Sequence, residues 1–264
     1  MPYQFNVLMP DNSHYAIKSI LAKARSNTKL AKSDAAMLGY RSASLSFAPA
    51  DMAGFDLLGR RIDVCTSRSV GCGNACLVTS GLADVFPTII PARIARTRFY
   101  KLHKSEFTDR LFKELAAFER YCAKHGVKPA VRMNVLSDVM WEREVPSLFE
   151  RFPNVQFYDY TKHYNRMLRF IAGNFPANYD LTFSRSENNE EKCLEVLRRG
   201  GNVAIPFMVR RSGNLPESYK GYPIFNADET DLRFLDPKGG RIAGLRVKGR
   251  KGKKDQTGFI VGVA

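Results

Sequence analysis

The sequence predicts an α/β chain folded as a (β/α) barrel, either TIM-type or an incomplete TIM barrel. Three observations carry this. Short apolar runs alternate with helix-patterned segments, the signature of βα units and a parallel sheet. The runs recur roughly 20–30 residues apart, which favours a closed or partly closed barrel over a sandwich. The chain has 264 residues, against ~250 for a typical barrel of this kind. A doubly wound open sheet is the competing arrangement. With no internal repeat and no long low-complexity linker, residues 1–264 read as a single domain.

Taken in order, residues 1–45 form a basic lead-in. Lys18, Lys23, Arg25, Lys29 and Lys32 lie among small residues there, which predicts a helix with a loop at Ser26-Asn27. From Glu106 to His125, the spacing of Phe107, Leu111, Leu115 and Phe118 predicts a helix that stops at Gly126. Ala130–Val135 is the next strand, followed by a short helix from Trp141 to Arg151. Val155–Tyr160, Leu181–Ser184 and Val203–Phe207 are further strands, with helices over Lys162–Ile171 and Glu190–Arg199 between them. Tyr222–Asn226 and Gly244–Val247 add two more strands. Residues 245–256 hold Gly249 and Gly252 among six cations and predict a flexible basic loop before a strand at Gly258–Val263.

Composition narrows the function classes. Lys and Arg outnumber Asp and Glu by 41 to 26, giving a net charge of +15 and a pI of about 9.7. That balance suits a polyanionic partner, most often nucleic acid. No apolar run reaches the ~18 residues of a membrane span, so no membrane partner is expected. The first fifteen residues lack the order of a signal peptide, which predicts a cytoplasmic protein. Five cysteines in a chain of this size argue against a secreted disulfide framework.

Several strands run into polar residues, and in parallel α/β folds the loops after the strands converge on one face. Asp138, Asp159 and Asp228 are the carboxylates expected there. Two such groups can break a glycosidic bond, one attacking the anomeric carbon while the other moves protons. Each is equally suited to capping the next helix. Lys162 and Arg185 are candidates for holding a phosphate or a base. Trp141 and Glu142 are candidates for binding substrate, with a core position the alternative for the tryptophan.

Cys65, Cys72 and Cys76 are spaced Cys-x6-Cys-x3-Cys, with glycines at 71 and 73. Three thiols this close suggest a metal, either zinc or an iron–sulfur cluster. Three thiolates can also hold a cluster with one exposed iron, as in radical S-adenosylmethionine enzymes, although those carry the spacing Cys-x3-Cys-x2-Cys. Buried free thiols are the plain alternative. Two basic stretches stand out. Arg93, Arg96, Arg98 and Lys101 surround Phe99 and Tyr100, a pattern suited to a phosphate backbone with stacked bases or to a solvated helix face. Lys248, Arg250 and Lys251 lie in the C-terminal loop.

The segments CTSRSVGCGNACLVTSG, ARIARTRFY, PAVRMNVLSDVMWE, VQFYDYTK and ETDLRFLDPKGG resemble the phage protein family called gene product eighty-eight. The resemblance covers roughly two thirds of the chain and implies a barrel-like fold and a phage or mobile-element origin, hence the cytoplasm of a host cell. More loosely, the chain is similar to barrel enzymes of the tRNA-guanine transglycosylase class, whose phage relatives insert 7-deazaguanine bases into DNA. That class uses a covalently bound aspartate, a second aspartate for protons and structural zinc. Its usual zinc spacing, Cys-x-Cys-x2-Cys followed by His, is absent here. The leading expectation is a DNA-guanine transglycosylase acting on DNA with a free 7-deazaguanine-type base. Asp138 would be its nucleophile or general base and Asp159 or Asp228 its partner. The alternatives are a radical S-adenosylmethionine-like iron–sulfur enzyme and a non-enzymatic nucleic-acid-binding protein.

Overall fold

The computed structural model describes residues 5–23, 31, 34, 37–79 and 81–263. Strands β1 (Phe5–Leu8) and β2 (His14–Ile17) form a separate antiparallel hairpin. The main sheet contains β3 (Leu21–Lys23), β4 (Tyr40–Leu45), β5 (Lys128–Arg132), β6 (Gln156–Thr161), β7 (Tyr179–Ser184), β8 (Val203–Phe207), β9 (Ser218–Tyr219), β10 (Tyr222–Asn226) and β11 (Ile242–Arg246). Its order is β3-β4-β5-β6-β7-β8-β11-β10-β9. From β4 to β10 every pairing is parallel, and β3 and β9 join the two ends antiparallel.

The α/β class therefore stands, and the closed TIM-type barrel is corrected. Strands β4 to β8 succeed one another as barrel strands do, but the sheet stays open. A barrel closes by pairing its outermost parallel strands. Here β3 and β9 occupy those edges, which leaves no parallel edge to close on.

The helices are α1 (Val70–Asn74), α2 (Leu82–Val85), α3 (Ile89–Leu102), α4 (Lys104–Lys124), α5 (Trp141–Glu144), α6 (Ser147–Arg151), α7 (Tyr164–Ile171), α8 (Glu190–Arg198) and α9 (Gly249–Gly252). The expected helix over 141–151 is two short ones. They break at Val145-Pro146, where the proline ring restricts the residue before it. The expected helical lead-in is instead the β1–β2 hairpin and β3 as far as Lys23. Arg25, Ser26, Asn27, Lys29 and Lys32 lie outside the described residues. Gly258–Val263 makes a single bridge from Val261 to Phe207 rather than a strand, and the loop at 249–252 is one helical turn.

Alternation along the strands separates two faces. On one, Val131, Phe157, Leu181, Phe183, Ile205 and Ile242 join the main apolar core under the helices. The rings of Phe47, Tyr100, Phe107 and Trp141 pack together in that core. The opposite face carries Ser42, Ser44, Arg132, Tyr158, Tyr160 and Thr182, most of them buried. The connection from β10 to β11 crosses this face through a 3-10 turn at Arg233–Leu235, packing Phe234 against Tyr40 and Tyr158.

Candidate functional site

A cavity of about 400 Å³ opens at the C-terminal ends of the parallel strands. One wall is the segment from Cys65 to Val78, a second is formed by strand ends, and Phe259 and Ile260 close a third side. Parallel strands put their C-terminal ends at one edge, so residues far apart in sequence meet there.

Cys65, Cys72 and Cys76 all line this cavity and are half-buried free thiols. Burial pushes Cys65 up to about 12 and raises Cys76. The Arg93 guanidinium and the Lys251 ammonium act on Cys76 in the opposite direction, favouring its thiolate. Among the described residues, no three His, Cys, Asp or Glu side chains come close enough to hold a metal ion.

The thiol wall is clamped from outside. The Ser69 hydroxyl donates to Glu187 Oε2 at 2.6 Å, and the Gly71 N–H donates to Glu187 Oε1 at 2.7 Å. Ser69 Oγ also caps α1, accepting from the Cys72 N–H at 3.2 Å. A Cβ on Gly71 would lie 2.2 Å from Thr257 Oγ1 and 2.6 Å from Phe259 Cβ, so only glycine fits between the thiol segment and the C-terminal segment. Arg185 holds that C-terminal segment, donating to the carbonyls of Gly258 at 2.9 Å and Phe259 at 3.2 Å while pairing with Glu190. Its place is structural support behind the cavity.

The three aspartates are not gathered in one pocket. Asp138 lines the cavity, and both its carboxylate oxygens accept hydrogen bonds, from the Thr161 hydroxyl at 2.8 Å and the Lys162 N–H at 2.7 Å. Asp159 is fully buried on the helix side. It accepts from Asn134 Nδ2 at 2.7 Å, from the Asn134 N–H and from the Tyr179 hydroxyl, and burial pushes its carboxyl up to about 7. Asp228 lies behind the wall, paired with Arg246 at 3.4 Å and with Lys248. Glu142 is buried against Arg166 at 2.9 Å, and Trp141 is fully buried with its Nε1 donating to Asn134 Oδ1 at 3.3 Å.

Lys162 does face the cavity. Its ammonium donates to Ser184 Oγ at 3.1 Å and lies 5.7 Å from the centre of the Phe259 ring, and among the described residues no carboxylate forms a salt bridge with it. In α3, Arg93 donates to the Val78 carbonyl at 2.9 Å, and Arg98 donates to Ala53 and Phe55 carbonyls and to Leu8 O. Burial lowers Arg96 to about 10. Of that basic stretch only Lys101 is exposed, lying over the Tyr100 ring. Lys248, Arg250 and Lys251 are exposed beside the cavity mouth.

Sequence reasoning missed several residues at the site. Asn134 ties the loop after β5 together, accepting from Ser137 Oγ at 2.8 Å and the Val139 N–H at 3.0 Å. Arg132 lines the cavity floor, pairs with the buried Asp231 at 2.9 Å and lies 4.7 Å from the Tyr160 ring centre. Ser67 Oγ is 2.8 Å from His163 Nδ1. The available signal was Arg132 itself, a charge at an alternating position inside an otherwise apolar strand.

Fold and site together define an open parallel α/β protein with a thiol-walled cavity at its strand ends. The chain matches the family Gene product 88 over residues 19–262 and belongs to it. No curated protein matches the chain, and no solved structure does. No helix among the described residues is long and apolar enough to cross a membrane.

Proposed function

We propose that the chain is an iron–sulfur enzyme of the radical S-adenosylmethionine kind, with Cys65, Cys72 and Cys76 as cluster ligands. The observation that carries this reading is that all three thiols line one cavity at the C-terminal ends of parallel strands. Zinc would draw its thiolates to about 2.3 Å from a single point. A cluster binds each thiolate through a different iron and so accepts ligands spread more widely. Cys65, Cys72 and Cys76 would hold such a cluster, which when bound would supply one-electron reduction of a sulfonium ligand. The protein's own part is to hold and shield. Arg93 and Lys251 offset thiolate charge at Cys76, and Glu187, Gly71 and Phe259 fix the wall. Lys162 presents a cation to whatever shares the cavity. Purified without oxygen and reconstituted with iron and sulfide, the protein is expected to be brown and to carry about four irons. The triple variant Cys65→Ala/Cys72→Ala/Cys76→Ala is expected to stay colourless. Stoichiometric zinc with no iron in the wild type would overturn the reading.

Base exchange on DNA through Asp138 is the second reading. It is favoured by Asp138 being the one carboxylate among the residues lining the cavity. Asp138→Asn would then abolish incorporation of a 7-deazaguanine-type base, measured by mass spectrometry of nucleosides. Unchanged incorporation in that variant removes Asp138 from the role.

A further inference from the structure

We infer that the cavity takes one nucleotide of a single-stranded nucleic acid, whose neighbouring phosphates lie along the basic segment from Lys248 to Lys254. The inference deepens the proposed function by naming a substrate class and rests on that reading for the chemistry, though not for binding.

Charge is the first argument. Five cations line the cavity, Arg68, Arg132, Lys162, Arg246 and Lys248, against the single carboxylate of Asp138. Arg68 is paired with Asp63, Arg132 with Asp231, and Arg246 and Lys248 with Asp228. Lys162 has only a hydroxyl and an aromatic ring as described partners, so an incoming anion meets an ammonium not already neutralised.

Continuity is the second. The chain leaves the cavity wall at Lys248, and Gly252 returns to it. Between and just beyond them Arg250, Lys251, Lys253 and Lys254 are exposed. The next carboxylate, Asp255, is engaged by its own loop, accepting from the Thr257 hydroxyl at 2.7 Å and the Ile260 N–H at 2.9 Å. A row of cations beginning at the mouth of a pocket is the arrangement that tracks a phosphate backbone.

Shape is the third. About 400 Å³ accommodates a single nucleotide, not a base pair with its neighbours. Phe259 lines the cavity and supplies an aromatic surface beside Lys162. A base can reach such a pocket only after leaving its stack, which favours an unpaired strand.

The test uses cluster-free wild-type protein and a short fluorescently labelled oligothymidine, read by anisotropy over a salt series. Failure of iron loading therefore does not bear on it. Binding is expected to weaken steeply with salt. In Lys251→Gln/Lys253→Gln/Lys254→Gln it should weaken at least tenfold, with the log–log salt slope shallower by about 2, at about 0.7 per lost single-strand contact. Phe259→Ala should weaken binding by roughly tenfold, as loss of one stacked base does, while melting curves check that each variant folds. Affinity unchanged in the triple glutamine variant overturns the inference. So does equal affinity for thymidine monophosphate, which would mark a pocket for free nucleotides, or equal affinity for a duplex of the same length.

Discussion

The two faces of the main sheet bury their residues by opposite means. Under the helices, Val131, Phe157, Phe183 and Ile205 are at most 1% exposed and belong to the main apolar core, with Asp159 and the Arg166–Glu142 pair buried on the same side. On the other face, Arg132 is buried in an ion pair with Asp231 of the β10–β11 connection, which also buries Arg233 beside Asp236. The first face gains stability from area removed from water. The second carries the desolvation cost of its charges and is held by their pairing. The difference teaches that the apolar face supports the sheet, whereas the polar face shapes the floor of the cavity through Arg132.

That contrast can be broken at either face. Arg132→Met removes the buried Arg132–Asp231 ion pair and should cost about 3–5 kcal/mol in denaturant unfolding. Adding Asp231→Leu should return most of it, and a harmless single variant would mean that the polar face is wet. Phe157→Ala should cost a similar 3–5 kcal/mol through cavity formation, but no second substitution of charge should rescue it. A pH series sharpens the comparison further. Burial pushes the Asp236 carboxyl up to about 7, ahead of the opposing effect of Arg233. The folded state then holds a proton that the unfolded chain releases near pH ~4, so this residue's contribution falls as pH rises from about 4 to about 7. Asp236→Asn should flatten that fall, an effect on the order of 1–4 kcal/mol across the window. Gly71→Ala, outside both faces, should cost about 1–3 kcal/mol by overpacking and lower iron loading with it. Lys162→Met should leave stability within about 0.5 kcal/mol yet weaken oligonucleotide binding, separating the cavity's purpose from the fold's.

The helix face was legible in the sequence because it follows period. The spacing of Phe107, Leu111 and Leu115 located α4, and the apolar runs located β6, β7 and β8 to within a residue or two. The hairpin at Phe5–Ile17 and strand β4 were not legible. In β4 the core face is carried by Ala43 and Leu45 and the other face by Ser42 and Ser44, small residues that leave no run of strand-preferring side chains. The open edges were hidden too, because β3 and β9 are three and two residues long and their antiparallel pairing leaves no periodic mark. At the site, the cysteines and Lys162 were found from residue type alone. The aspartates were expected to converge because strand ends converge, but alternation turns Asp159 to the helix side while Asp138 sits in the loop beyond β5. Gly71 and Glu187 stand out by residue type near the thiols and after a strand, but their role was not legible, since it lies in a contact across 116 positions.

That long-range contact has a consequence for synthesis. A nascent chain translated only as far as α8 already has its three thiols and Glu187, but not the Thr257–Phe259 stretch that Gly71 packs against. The wall that carries Cys65, Cys72 and Cys76 is therefore packed only after residues 257–259 have been made, so the thiols of a shorter nascent chain stay more open to solvent than those of the folded protein.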